Sequence, residues 1–172
     1  CNVTGEVNGY NYSGGIVGYA NDNTHILNCS FQGNVDGNGE NRGGIVGDTS
    51  SGCEVSGCFV TGKVKGSQSV GGIAGSGVGT IKNCYALADV TVARDSAGGI
   101  AGYNDGRIEF TNASEAVTVK SVSSIVVGKN YVGGIAGFND QNASIDVHYT
   151  LIGGRIYACL LYTSDAADEE DS

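Results

Sequence analysis

The chain has 172 residues, and its 18 acidic residues against nine basic residues give a formal net charge of −9. The lysines and arginines are scattered along the sequence, which argues against a nucleic-acid-binding stripe and against a polybasic membrane patch. With 30 glycines, no proline and no segment of helical apolar periodicity, the composition favours strands and tight turns.

A Gly-Gly-Ile-[Val/Ala]-Gly string occurs five times, so the chain is a repeat array. The strings begin at residues 14, 43, 71, 98 and 133. Their spacing is 27 to 29 residues, except for a last interval of 35. A period of about 28 residues suits one coil of a solenoid and is too short for a self-standing domain. Each coil must therefore bury its apolar face against its neighbours.

A second pattern, C-x-x-x-[G/A]-x-V, accompanies the glycine string. It begins at Cys1, Cys29, Cys58 and Cys84. Because Cys1 already lies at the end of a repeat, we expect the sequence to begin within a coil. In the fourth and fifth coils we assign Ala113 and His148 to the cysteine position, which indicates that these coils have diverged.

Each coil is predicted to contain two strands joined by a polar turn. The isoleucine of the glycine string points inward from the first strand, and its neighbouring glycines allow close approach of backbones. The second strand begins three residues before the cysteine position, at Ile26, Val55, Ile81, Phe110 and Ile145. It continues through the cysteine with period-two alternation. We expect the segments before each glycine string to be exposed loops: residues 8–13, 36–42, 65–70, 91–97 and 120–132.

Stacked coils place equivalent residues about 4.8 Å apart, so isoleucine, valine and cysteine ladders would form the core. Asn28, Asn83 and Asn112 directly precede the cysteine position, and we expect their side-chain amides to pair from coil to coil. Gly57 and Val147 interrupt this series. The sequence therefore predicts an all-β fold, a right-handed parallel β-solenoid (β-helix) of about five coils. The handedness follows from the usual bias of parallel crossovers.

Residues 159–169 resemble the conceptual translation of a sequencing-library adapter. We interpret residues 159–172 as a non-native, adapter-derived tail and exclude them from the fold prediction. Residues 1–158 are then a single solenoid domain, which we expect to be a fragment of a longer chain assembled from environmental DNA. Without the tail, 13 acidic residues remain against nine basic ones, an ordinary, mildly acidic surface.

The sequence predicts no catalytic residue, no metal ligand and no cofactor. The ladder cysteines suit reduced packing positions, with a disulfide between Cys53 and Cys58 as an alternative. H-E-x-x-H is absent, and the histidines are His25 and His148. The Asn- and Asp-rich turns do not match the repeat-type calcium signature G-G-x-G-x-D, although the sequence leaves calcium binding open.

A polysaccharide lyase or hydrolase is the enzymatic alternative, because such enzymes also use parallel β-helices and clustered acids and bases. The candidates are spread over turns: Asp89, Arg94, Asp95, Asp105, Arg107 and Glu109. Aromatic residues are the weak signal for binding of a glycan or protein, and half-buried ring packing explains them equally well. They are Tyr10, Tyr12, Tyr19, Tyr103 and Phe138.

The segment from Gly71 to Val90, with its Gly-Gly-Ile-Ala-Gly string and Gly-Thr-Ile-Lys-Asn-Cys-Tyr-Ala sequence, resembles the GLUG motif of bacterial surface proteins. All five units, from residue 1 to about residue 158, are similar to it. The resemblance implies a β-solenoid in large secreted or wall-attached proteins. These include adhesin-like proteins and the non-catalytic region of some immunoglobulin A1 metallopeptidases. It transfers no catalytic residue.

The resulting functional prediction is a non-enzymatic stalk or adhesive spacer of an extracellular, cell-surface or secreted bacterial protein. Its partners would be host or environmental glycans or proteins and the neighbouring domains of the parent chain, with no nucleic acid and no membrane insertion. The alternatives are a non-catalytic accessory region of a secreted peptidase and a carbohydrate-active β-helix enzyme. The binding residues are left unassigned.

Overall fold

The computed structural model describes residues 1–110, 125–128, 130–147 and 155–158. Throughout these ranges the regular elements are β-strands. In chain order they are β1 (Asn2–Asn8), β2 (Ser13–Gly14), β3 (Val17–Ala20), β4 (His25–Leu27), β5 (Ser30–Asp36), β6 (Glu40–Gly43), β7 (Val46–Thr49), β8 (Glu54–Ser56), β9 (Phe59–Gly71), β10 (Ala74–Gly77), β11 (Thr80–Lys82), β12 (Tyr85–Gly98), β13 (Ala101–Asn104), β14 (Arg107–Phe110), β15 (Ile125–Gly128), β16 (Asn130–Gly133), β17 (Ala136–Asn139), β18 (Ser144–Val147) and β19 (Arg155–Ala158). The interpretation of residues 159–172 as a tail falls outside the described residues.

The strands form three parallel sheets, and each sheet supplies one side of every coil. The long sheet has nine strands, with β1, β5, β9, β12, β15 and β19 in order and β2, β6 and β16 beside them. The second sheet contains β3, β7, β10, β13 and β17, and the third contains β4, β8, β11, β14 and β18. This arrangement confirms the predicted parallel β-solenoid, with four full turns between the first and fifth described strands of the second sheet. Its handedness stays a prediction.

The glycine string forms the corner between the long sheet and the second sheet. Its glycines lie against the backbone of adjacent coils, as expected. A Cβ on Gly71 would lie 2.1 Å from the carbonyl oxygen of Ala74 and 2.6 Å from that of Ile100. A real Cβ does not approach backbone so closely, so any residue other than glycine would separate the coils there. This contact explains why the string recurs.

The isoleucine of the string lies in this corner, not in a strand as predicted. Its inward orientation is confirmed, since Ile45, Ile73 and Ile100 are completely buried. The hydrogen bonds continue through the corner, where the N–H of Ile45 donates to the carbonyl oxygen of Ile73 at 3.0 Å. The coil therefore turns without interrupting its contact with the next coil.

The predicted second strand is two strands separated by a corner at the residue before the cysteine. Asn28, Gly57 and Asn83 at this corner have φ angles of 50°, 63° and 51°. Asparagine and glycine tolerate this left-handed conformation better than other residues. Gly57 therefore continues the series that it was expected to interrupt, and backbone conformation, not amide pairing, explains the asparagines. Side-chain amides do pair between Asn104 and Asn139, at 2.7 Å.

Two segments that were expected to be exposed loops are parts of strands. Residues 65–70 lie in β9 and residues 91–97 lie in β12, where Val70 and Ala97 are fully buried. Parts of two further expected loops are also strands: residues 40–42 lie in β6, and residues 125–128 and 130–132 lie in β15 and β16. The backbone turns at the position two residues before each glycine string, where φ is between 49° and 63°. The residues at this position are Tyr12, Asn41, Ser69, Ser96 and Tyr131. A single left-handed residue bends the chain there without ending the pairing.

Ladders of apolar side chains fill the interior. Val35, Val64 and Val90 occupy successive rungs of the long sheet and are at most 1% exposed. In the third sheet Ile81 pairs with Ile108, so the assignment of Phe110 to this rung was wrong. Residues 108 and 110 are two positions apart, so period-two alternation places both side chains on the same face of the strand. The sequence pattern alone therefore did not distinguish them. The assignments of Asn112, Ala113 and His148 lie outside the described residues.

Candidate functional site

The cysteines of the repeat pattern form a ladder of free thiols. Cys58 and Cys84 are buried, Cys29 is half-buried and Cys1 is exposed. The Cys84 thiol donates to the carbonyl oxygens of Val55 at 3.4 Å and Lys82 at 3.3 Å. Burial raises the pKa of the Cys84 thiol, which suppresses the reactive thiolate. The hydrogen bond with Cys84 lowers the pKa of the Cys58 thiol to about 7, but Cys58 is only 1% exposed. Burial therefore makes the ladder a packing feature of the core.

Cys53 lies apart from the ladder and is also buried and free. Its thiol donates to the carbonyl oxygen of Asn21 at 3.0 Å, so it joins the turns of two adjacent coils. The Cys53–Cys58 disulfide is not formed. His25 is exposed. No group of three or more histidine, cysteine or acidic side chains is placed to hold a metal ion within the described part of the chain.

The acids and bases considered for catalysis are separated by the fold. Asp89, Arg94 and Asp95 lie in the long sheet, whereas Arg107 and Glu109 form an ion pair in the third sheet. Arg94 pairs with Glu40 at 3.2 Å. These pairs occupy different sides of the solenoid, so they do not converge on one bond of a substrate.

The aromatic residues gather at one corner, in two groups. In the first coil the rings of Tyr12 and Tyr19 meet edge to face, with centroids 5.8 Å apart. In the fourth and fifth coils Tyr103 stacks on Phe138 at 5.2 Å, and Tyr131 meets Phe138 edge to face. These rings contact one another, but Tyr12, Tyr19 and Tyr131 remain exposed, and Tyr10 is 75% exposed. Ring packing therefore accounts for only part of their surface, and binding through them stays a prediction. Tyr131 was not among the aromatic candidates expected from the sequence, because its position depends on the bend before the glycine string.

Tyr103 also donates a hydrogen bond from its hydroxyl group to Asp140. This bond raises the pKa of Tyr103 to about 12 and lowers the pKa of Asp140. At the same corner in the second coil, the side-chain amide of Asn41 donates to Asp48 at 3.0 Å. Burial raises the pKa of Asp48, although the hydrogen bonds from Asn41 and Thr49 oppose that shift. The corner is thus an ordered polar and aromatic ridge.

A shallow depression on the outer face of the long sheet brings together charges that sequence analysis did not connect. Its polar lining consists of Asn34, Asp36, Lys63, Lys65, Asp89 and Thr91. These residues alternate with the buried valines of the core, so they point outward. The signal was present in the sequence, because the six residues lie five and seven positions after Cys29, Cys58 and Cys84. Stacking of the coils turns this spacing into one surface.

Arg42 has a structural role that is not evident from the composition of the chain. It is one of the scattered basic residues of the sequence, but it is 0% exposed. Its guanidinium group donates to the carbonyl oxygens of Gly9 at 2.5 Å, Tyr10 at 2.6 Å and Gly39. Burial lowers the pKa of Arg42, and the nearby charge of Asp36 opposes that shift. Arg42 therefore fastens the segments that precede the first two glycine strings to each other.

Comparison with protein families gives a match to the GLUG motif at residues 9–36 and 66–91. This match confirms the resemblance at two of the five repeats. No curated protein and no solved structure matches the chain. Among the described residues, no helix is long and apolar enough to cross a membrane.

Proposed function

Because the chain carries GLUG motifs, we propose that it is a repeat module of an extracellular bacterial protein, acting as a stiff spacer with an adhesive outer surface. GLUG repeats are typical of extracellular surface proteins and form a non-catalytic repeat family, which supports this setting. The module would hold a neighbouring domain of the parent chain away from the cell, or away from a secreted enzyme. Its partners would be glycans or proteins of the host or the environment.

The observation that carries this proposal is the hydrogen bonding that joins the described strands and corners from coil to coil. All three sheets are hydrogen-bonded from coil to coil. The hydrogen bonding also continues through the corners, where the N–H of Gly44 donates to the carbonyl oxygen of Gly72 at 3.1 Å. A rod of this kind resists bending because adjacent coils are hydrogen-bonded to each other in all three sheets. Its length grows by about 4.8 Å for each added coil.

The division between interior and exterior supports the adhesive part of the proposal. Most core rungs hold apolar residues and glycine, and Arg42, Thr49 and Asn104 are buried polar exceptions. The outward positions of the same strands carry varied polar and aromatic side chains. Phe59 and Tyr85, for example, stack on the outer face with ring centroids 5.1 Å apart. Such outward positions can change without disturbing the rod. The absence of catalysis stays a prediction.

A binding array tests this function. The purified 172-residue chain, verified as folded by circular dichroism, would be applied to immobilised neutral glycans, acidic glycans and extracellular-matrix proteins. Saturable binding to any of these classes supports an adhesive module. A folded chain that binds none of them refutes the adhesive part. Hydrolysis of a glycan on the array, lost in Asp105→Asn or Arg107→Ala, would contradict the non-enzymatic assignment.

A further inference from the structure

The depression on the long sheet presents two lysines without ion-pair partners. Lys63 and Lys65 are exposed and lie on the same face of β9, one residue apart, which places their Cα atoms about 7 Å from each other. Ion pairs in the described part of the chain join Lys82 to Glu54, Arg94 to Glu40 and Arg107 to Glu109. Neither Lys63 nor Lys65 belongs to these pairs, so both ammonium groups are available to an anion.

The depression also contains a buried carboxylate oxygen that lacks a donor. Asp89 pairs in register with Lys63 across the sheet, and its Oδ1 atom is buried without a hydrogen-bond partner among the described residues. Buried polar atoms are nearly always hydrogen-bonded, because an unpaired one forfeits its contact with water. Asp89 as a whole is half-buried and lines the depression, so rotation of its carboxyl group presents an oxygen atom beside the two cations. Such a lining favours a ligand that both donates and accepts hydrogen bonds.

The chemistry of the lining narrows the ligand class. Ammonium groups bind an anionic oxygen, whereas the Asp89 carboxylate requires a hydroxyl or N–H donor. An inorganic anion without a proton, such as sulfate, would satisfy only the lysines, and a neutral sugar would satisfy only the aspartate and the neutral side chains. A carboxylated sugar offers a carboxylate and several hydroxyl groups on one rigid ring. Asn34 and Thr91 at the sides of the depression can accept or donate to further hydroxyl groups.

We propose that this depression binds a carboxylated saccharide, with the sugar carboxylate between Lys63 and Lys65 and a ring hydroxyl donating to Asp89. This proposal rests on the adhesive role of the module and names its ligand class. The negative charge of Asp36 beside Lys65 increases the selectivity of the depression among anionic ligands, because it repels a ligand that is anionic along its whole length. A ligand with a single carboxylate among hydroxyl groups pairs with the lysines and avoids this repulsion.

The test is isothermal titration calorimetry of the full 172-residue chain with a tetrasaccharide of three neutral hexoses and one glucuronic acid. The matched ligand is the same tetrasaccharide with its single carboxylate methyl-esterified. We expect the acid to bind and the ester to bind at least about tenfold more weakly, since it lacks the charge that pairs with lysine. Lys63→Ala and Lys65→Ala should each weaken binding of the acid by a similar factor.

Two variants separate a binding role from a structural one. Asp89→Asn should weaken binding while leaving the melting temperature nearly unchanged, because the amide keeps the shape of this half-buried side chain and removes only its charge. Lys82→Ala is the matched control, since Lys82 is held 3.0 Å from Glu54 in the third sheet. It should bind the acid as the native chain does.

Equal binding of the acid and its ester, or no binding of either, would overturn the proposal. So would a loss of binding in Lys82→Ala equal to that in Lys63→Ala, or equal binding of a tetraglutamate peptide or a sulfated tetrasaccharide. In each case binding to another class on the array would leave the adhesive function standing. Failure on both experiments would reject the ligand and the adhesive function together.

Discussion

Asn28 and Gly57 adopt the same left-handed backbone conformation in successive coils, with φ angles of 50° and 63°. Each donates its backbone N–H to the next coil, Asn28 to Ser56 at 2.9 Å and Gly57 to Lys82 at 3.2 Å. The corner before the cysteine is therefore defined by backbone conformation. Two residue types satisfy it because both tolerate positive φ.

Substitution of Asn83 tests this requirement, because Asn83 has φ of 51° at the same corner. We expect Asn83→Ala to lower the free energy of unfolding by about 1 kcal/mol, and Asn83→Gly to leave it nearly unchanged. Urea denaturation measures both. Thr80, in the adjacent strand β11, is the control. There glycine should be worse than alanine, and the same order at Asn83 would contradict the argument.

Replacing Arg42 with methionine should destabilise the first two coils. The carbonyl oxygens of Gly9, Tyr10 and Gly39 lose a charged donor, and we expect a loss of about 3 kcal/mol in the free energy of unfolding. Arg94→Met is the control because Arg94 pairs with Glu40 on the surface, and it should cost less than about 1 kcal/mol. Equal costs from the two variants in urea denaturation would show that burial of Arg42 contributes nothing.

The pKa of Tyr103 predicts a distinctive alkaline titration. The hydrogen bond to Asp140 raises this pKa to about 12, against about 10 for an ordinary tyrosine. The stability that it contributes is fully present below pH about 10 and is lost as the pH rises through about 12. Ultraviolet absorbance of tyrosinate, compared between the native chain and Tyr103→Phe, isolates this group. Asp140→Asn should return the pKa toward its ordinary value, and no change in that variant would refute the assigned cause.

The thiols should differ in their rates of alkylation. Cys1 is exposed and should react with iodoacetamide first, whereas the buried Cys53, Cys58 and Cys84 should react only after unfolding. The raised pKa of the Cys84 thiol slows its reaction further. Peptide mass spectrometry after a timed pulse assigns each rate. Native-state labelling of Cys84 as fast as Cys1 would contradict the packed ladder.

The sequence predicted the stacking of the coils well because stacking depends on repetition. A residue that recurs every 28 or so positions must serve the same contact in each coil, so Gly71 and its equivalents indicated close backbone approach directly. The valine rungs at Val35, Val64 and Val90 followed from period-two alternation in the same way. The candidate site was predicted less well. Asp89 was considered as a catalytic acid, whereas Lys63 and Lys65 had no local motif to mark them.

By itself, then, the sequence determined a parallel β-solenoid and its core, because these follow from periodicity and from the sizes of the repeated side chains. Only the tertiary structure decided where the coil turns, since period-two alternation is the same on both sides of a left-handed residue such as Asn83 or Ser69. It also decided that Arg42 is buried and that Lys63 faces Asp89. These arrangements join residues of different coils, and their physical cause is the register in which the coils stack.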